Sequence, residues 1–323
     1  MVNNVIKLEP NNATLTCFVH DEKNIKEAIL VFPGGAYRYC APGEGKPVAE
    51  QFYEAGFNTF VLEYSCTEGD FGSPKVAKEE VFDAALEDAM NAFYYLKDHA
   101  EEFKIDENKI SIIGFSAGAH LAISSVLLGK LRPLCLLLGY VPISDEMMSS
   151  LGMKNLDLLN KIHEDMPPVF MFLNQADSLV NASESLKLAL ALAEKKHPYE
   201  IHCYVTGDHG LSLGTTKSGT VNKDYATWFD RALSFIKNIQ SPYPLIMGDL
   251  NEDLENLSIN SRVGALMYHQ EAWKLIEELF PDVAFKAKTD TYLRSKPLLR
   301  LYQWGLITNP SKEEVDEMLK KLK

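Results

Sequence analysis

The chain has 323 residues, 46% of them hydrophobic and 24% charged, ordinary globular usage that excludes collagen, wholesale disorder and a disulfide-framed miniprotein. Its 32 basic and 45 acidic side chains give a net charge of −13, which excludes a protein built to track phosphate backbones, so no nucleic-acid partner is expected. The five cysteines, Cys17, Cys40, Cys66, Cys135 and Cys203, are odd in number, widely spaced and without a Cys-x-x-Cys pair, which argues against a disulfide framework or a zinc ribbon.

Taken in chain order, Met1-Val-Asn-Asn-Val-Ile-Lys lacks a basic-then-apolar signal pattern. No apolar run approaches the roughly 20 residues that span a bilayer. A cytoplasmic setting with no membrane partner is the expectation. Residues 5–20, bounded by Pro10-Asn11-Asn12, read as one or two opening strands. Ala28–Phe32 is continuously apolar, as in a strand covered on both faces. A helix near Gly45–Ala55 follows, then a strand over Asn58–Tyr64. Val81, Ala84, Ala85, Ala89, Ala92, Phe93 and Leu96 keep helical spacing within a long helix over about Lys78–Phe103.

The alternation continues with strands at Ile110–Ile113, Leu134–Tyr140, Pro168–Leu173 and Glu200–Val205. Helices are expected at Ala117–Leu128, Ala182–Glu194 and Lys223–Ile239. Such alternation predicts an α/β fold, a mostly parallel central sheet with helices on both faces. The stretch 143–166 breaks the rhythm and is a candidate lid or an ordinary helix with irregular flanks. Pro242 and Pro244 mark a boundary, dividing a first domain (1–240) from a helical C-terminal extension (241–323). Helices are expected there at about Val263–Leu279, Thr291–Tyr302 and Ser311–Leu322, the last opened by a capping box, Ser311-Lys312-Glu313-Glu314. The extension holds 11 basic and 13 acidic residues, so its net charge is −2 and the first 240 residues carry −11. Its apolar face (Val263, Leu266, Met267, Leu275, Ile276, Leu279) is expected to pack on the first domain or on a second copy of the chain, a route to a homo-oligomer.

The chemistry centres on Gly114-Phe115-Ser116-Ala117-Gly118, a G-x-S-x-G motif that follows a strand and opens a helix. The small flanking residues leave room for a sharp turn that exposes the serine hydroxyl and aims a helix N-terminus at the reacting oxygen. A serine hydroxyl needs a base to take its proton. In this strand–turn–helix setting the acid and then the histidine follow the serine in the chain. Of His163, His197, His202 and His209, only His209 lies in a loop just past a strand end, the edge where open α/β sheets bind ligands. His197 reads as a surface residue at a helix end and His202 as held in a sheet face. Asp177, past the strand Pro168–Leu173, is the expected acid, with Asp208 and Asp145 as rivals. The oxyanion donors are expected to be the N–H of Ala117 and that of Gly35 or Ala36, in Pro33-Gly34-Gly35-Ala36-Tyr37. This glycine turn is neither a dinucleotide fingerprint nor a P-loop. Tyr37 is a candidate to line the substrate pocket. No carboxylate–histidine cluster has zinc spacing, so neither metal nor cofactor is expected.

These motifs, with Asn174-Gln175-Ala176-Asp177, Gly207-Asp208-His209-Gly210-Leu211 and Leu137-Leu138-Gly139-Tyr140-Val141-Pro142-Ile143, resemble the α/β-hydrolase superfamily. Within it the chain is similar to the esterase/lipase group of acetyl xylan esterases and feruloyl-esterase-like proteins. The resemblance covers about residues 25–240. Val141 separates a tyrosine and proline that usually adjoin, and Ala36 stands where a third glycine is usual. The resemblance implies a serine carboxylesterase, acting through an acyl-enzyme on a small ester such as an acylated sugar. The alternatives are a prolyl-oligopeptidase-like peptidase, which usually carries a large extra domain, and an inactive hydrolase-fold scaffold.

Overall fold

The computed structural model describes residues 2–67, 79–150, 152–241 and 250–322. Lys78, Pro242 and Pro244, used above as landmarks, lie outside them. The chain divides into two compact units, Met1–Phe235 and Ile236–Lys323.

The first unit is built on eight strands: β1 (Val2–Leu8), β2 (Ala13–Val19), β3 (Lys26–Phe32), β4 (Asn58–Glu63), β5 (Ile105–Phe115), β6 (Leu136–Gly139), β7 (Val169–Asn174) and β8 (Tyr199–Tyr204). They form one sheet in the order β1-β2-β4-β3-β5-β6-β7-β8. The β1–β2 and β2–β4 pairs are antiparallel, and from β4 through β8 every pair is parallel. Leu30, Ile112, Leu136 and Val169 stand opposite one another across the middle of the sheet and are fully buried. Continuous apolar runs are what strands covered on both faces require.

Helices α1 (Lys46–Glu54), α2 (Glu79–Asp98), α3 (Ala117–Leu127), α4 (Asp145–Ser150), α5 (Ser183–Glu194) and α6 (Trp228–Ile239) supply that cover. Successive strand side chains point to opposite faces. Leu30, Phe32, Ile112 and Leu138 join Phe82, Ala85 and Ala89 of α2, Leu121 of α3 and Leu188 of α5 in one core. On the other face Phe115 and Phe172 pack against Trp228 of α6, which with Phe229 also meets Phe52 of α1. The segment 143–166 holds α4 and a short 3-10 turn (Leu159–Lys161). Met148, Met153, Leu158, Ile162 and Met166 are buried in the core, and Glu184 of α5 accepts the N–H groups of Ile143 and Ser144. It is a packed element with irregular flanks.

The second unit contains α7 (Asn251–Glu255), α8 (Val263–Leu266), α9 (Gln270–Leu279), α10 (Pro281–Ala287), α11 (Thr291–Arg294), α12 (Leu298–Gln303) and α13 (Lys312–Lys320). Two helices expected to be continuous are broken. The His269 side chain accepts the Ala272 N–H and starts α9. Pro297 disfavours helical backbone at Lys296 and separates α11 from α12. The expected capping box is formed: Ser311 Oγ accepts the Glu314 N–H, and Glu314 Oε2 accepts the Ser311 N–H at 2.8 Å. Val263, Leu266, Ile276, Leu298, Leu301, Val315 and Leu319 are fully buried in one cluster within this unit. Of the expected apolar face, Val263, Leu266 and Ile276 are fully buried in this cluster, and Met267, Leu275 and Leu279 are partly buried against it.

Candidate active site

Ser116 stands between the end of β5 and the start of α3, with φ 50° and ψ −121°, strain of the kind that functional turns store. Glycines make the corner possible. A β-carbon on Gly114 would lie 2.3 Å from the Gly118 carbonyl oxygen, and one on Gly118 2.1 Å from that of Phe32. The His209 ring meets the hydroxyl, with Nε2 3.0 Å from Ser116 Oγ. Its Nδ1 lies 2.8 Å from Asp177 Oδ2. The other Asp177 oxygen accepts the N–H groups of Leu179 (2.9 Å) and Val180 (2.8 Å), so the carboxylate is fixed while buried. An Nδ1–H donating to Asp177 leaves Nε2 free to accept the serine proton.

The rival carboxylates point elsewhere. Asp208 Oδ1 accepts the N–H of Ser178 and of His209 and the Ser178 hydroxyl, tying together the loops that carry Asp177 and His209. Those hydrogen bonds, the Ser178 N–H foremost, hold the Asp208 carboxyl down at about 2. Asp145 accepts the N–H groups of Leu156 and Asp157. His202 contacts Glu200. His197 is not on the surface as expected: it is 5% exposed and its Nε2 lies 3.0 Å from the Pro167 carbonyl oxygen.

The loop after β3 runs beneath the serine. Gly35 has φ 123°, and a β-carbon there would lie 1.9 Å from the Tyr39 carbonyl oxygen. Ala36 (φ 55°) and Tyr37 (φ 57°) are also left-handed. The Gly34 N–H is taken by Glu44 Oε2 at 2.7 Å, which removes it as a donor to a substrate. Ala36 borders two cavities that meet at Ser116. The smaller, about 20 Å³, is lined by Ala117, Pro142, Met147, Met148, Leu179 and Val180. The larger, about 530 Å³, is lined by Gly35, Arg38, Tyr39, Glu44 and His209 among others.

The expectation that Tyr37 lines the substrate pocket is corrected by its burial. The side chain is fully covered, its hydroxyl 2.7 Å from His120 Nδ1 and its ring edge-on to Tyr64 and Phe82. Two left-handed residues in succession turn Tyr37 into the core and leave Arg38 and Tyr39 at the cleft. Burial pushes the His120 ring down to about 3, so it stays neutral. Sequence reasoning gave no role to Glu44 or Tyr140. The Tyr140 hydroxyl donates to Glu44 Oε1. Burial raises the Glu44 carboxyl above its ordinary value, against the pull of the Tyr140 and Gly34 donors. The sequence signal was faint: one acid in the Gly/Pro-rich turn Pro42-Gly43-Glu44-Gly45. Among the described residues no group of three or more His, Cys, Asp or Glu could hold a metal ion, and no helix is long and apolar enough to cross a membrane.

The BD-FAE family model matches residues 19–134. Endo-1,4-beta-xylanase B of Butyrivibrio fibrisolvens is 29% identical over 241 residues, 66% of this chain and 37% of that protein. An acetylxylan esterase of Xylanibacter ruminicola is 26% identical over 229 residues, 64% of this chain and 45% of its own length. The chain thus spans less than half of each of these two relatives. The crystal structure of MGS-M1, an alpha/beta hydrolase enzyme from a Medee basin deep-sea metagenome library, is 31% identical, covering 73% of this chain and 98% of that one with a TM-score of 0.60. With this sheet order and nucleophile corner, the chain belongs to the α/β-hydrolase superfamily.

Proposed function

We propose that the chain hydrolyses small carboxylic esters through an acyl-enzyme, with Ser116 as nucleophile, His209 as general base and acid, and Asp177 as the group that orients and stabilises the imidazolium. The observation that carries this reading is the unbroken relay from Ser116 Oγ through the two His209 nitrogens to Asp177 Oδ2. Ser116 Oγ bonds to the ester carbonyl carbon while Nε2 takes its proton. The carbonyl oxygen becomes an oxyanion facing the N–H of Ala117 and that of Gly35 or Ala36. As the carbon–oxygen ester bond breaks, Nε2 returns the proton to the leaving alcohol. Water, deprotonated by the same nitrogen, then releases the acid and restores Ser116.

The leaving oxygen must lie on the His209 side, which assigns the alcohol to the larger cavity and the acyl group to the smaller. About 20 Å³ is room for a methyl-sized group. The larger cavity, about 530 Å³, is ligand-sized and carries polar side chains at Arg38 and Tyr39. A short acyl group, acetyl above all, on a bulky polar alcohol such as a sugar fits both. Its activity on p-nitrophenyl acetate should vanish in Ser116→Ala while the protein stays folded, and a fluorophosphonate should label Ser116 in the wild type. Undiminished turnover by the variant would sink the assignment.

A further inference from the structure

We propose that Glu44 is a positioning residue: through the Tyr140 phenol it locks the loop of the oxyanion donors to the loop of His209, fixing both about Ser116. The inference rests on the esterase reading above, and neither residue takes part in the bond-making just described.

The geometry is a chain of hydrogen bonds crossing three loops. Glu44 Oε2 accepts the Gly34 N–H at 2.7 Å, at the entry to the turn holding Gly35 and Ala36. Glu44 Oε1 accepts the Tyr140 hydroxyl proton, from the loop after β6. The same Tyr140 oxygen accepts the Ser212 N–H at 3.3 Å, three residues past His209. Ser212 Oγ closes the circuit by donating to the Gly43 carbonyl oxygen at 2.7 Å, beside Glu44 in the chain. The Tyr140 ring stands edge-on to the imidazole of His209, 4.7 Å between centroids. Glu44 is 5% exposed, and Tyr140 and Ser212 1% each.

Two features go beyond ordinary packing. Burying a carboxylate costs stability unless donors engage its oxygens, and here each oxygen takes a donor from a different loop. Backbone strain also gathers on the same loops, since Ala36, Ser116, Tyr140 and Ser212 all have positive φ. Strained residues persist where surrounding bonds over-determine them, and the Glu44–Tyr140 link supplies such bonds on both sides of the nucleophile. A Gly34 side chain is excluded for the same reason: its β-carbon would lie 2.6 Å from Glu44 Oε2.

The test is steady-state hydrolysis of p-nitrophenyl acetate by Glu44→Gln, Tyr140→Phe and the double variant of the full chain. Glutamine keeps one acceptor and sets an amide donor against a second donor; Tyr140→Phe keeps the ring and removes only the hydroxyl. Each single change should lower kcat by roughly 10- to 100-fold with KM moved less than about threefold. The double variant should be no worse than the poorer single, because one linkage is broken either way. Unchanged kcat, or losses that multiply, would overturn the proposal. If Glu44→Gln does not fold, Tyr140→Phe alone carries the kinetic test. Crystal structures of Tyr140→Phe and the wild type give a readout free of turnover: the Ser116 Oγ to His209 Nε2 separation should lengthen, and an unchanged separation counts against the linkage. Should the wild type turn over no ester, the esterase reading fails and this structural comparison still decides the positioning role.

Discussion

The α-carbon of Gly118 sits so close to the Phe32 carbonyl that any β-carbon would lie 2.1 Å from the oxygen. The contact joins the first turn of α3 to the end of β3, where the loop of the proposed oxyanion donors begins. Gly118→Ala must therefore push helix from strand, and we expect a loss of about 3 kcal/mol or more in stability. Urea unfolding beside the wild type measures it. A midpoint unchanged within error would mean that the corner has slack that the geometry denies.

Asp177→Asn should preserve the fold and remove most of the hydrolysis. The asparagine carbonyl oxygen can still accept the N–H groups of Leu179 and Val180, while its amide faces His209 Nδ1. That favours the imidazole tautomer with Nδ1 unprotonated and Nε2 unable to act as base. A fall in kcat of about 10³- to 10⁴-fold is expected, with the unfolding curve little changed. Asp208→Asn, which touches the His209 backbone and not its ring, should lower kcat far less; equal losses would reopen the choice of acid.

His120 predicts an acid-sensitive stability. Its ordinary value of 6.5 falls to about 3 because burial penalises the charged ring. The unfolded chain therefore binds a proton that the folded one refuses. The stabilisation is fully present above 6.5 and is lost as the pH falls from 6.5 toward 3. Between pH 7 and pH 5 the loss from this one ring is about 2 kcal/mol. His120→Gln, which can still bond the Tyr37 hydroxyl, should show that much less pH dependence in urea unfolding. Identical slopes for the two proteins would mean that the ring is charged or hydrated in the fold.

Acyl preference should follow the small cavity. Leu179 borders both cavities at Ser116 and is 57% exposed, so truncating it disturbs no core packing. Leu179→Ala should raise kcat/KM for butyrate relative to acetate esters by roughly tenfold, the scale of one or two methylenes in an apolar pocket. A ratio unmoved by Leu179→Ala, and by Met147→Ala in the same lining, would place the acyl group elsewhere.

Much of the architecture was legible because it is encoded locally. Alternation of apolar strands and amphipathic helices needs only period and composition, and Gly114, Ser116 and Gly118 announce a corner because nothing larger fits. The capping box at Ser311 is a four-residue signal and is formed as read. Helix breaks were less visible: His269 acts as a cap only through its side-chain geometry, and the break before Pro297 lies inside an apolar pattern that would otherwise continue. Chain order and strand ends singled out Ser116, Asp177 and His209, since loops at the strand C-termini converge whatever their length.

What the tertiary structure alone decided was direction and burial. Two left-handed residues, Ala36 and Tyr37, send the Tyr37 ring into the core and hand the cleft to Arg38 and Tyr39, a choice that no one-dimensional pattern contains. Glu44 and Tyr140 stand 96 positions apart, and neither sits in a periodic pattern that would reveal the other. The second unit buries Val263, Leu266 and Ile276 in a cluster of its own, which depended on whether the short helices α8 to α13 could close a core. The 323 residues and their uneven charge bounded the kind of protein this is. Which side chains meet was settled by long-range packing, because a contact between distant loops is a property of the closed fold and not of either segment.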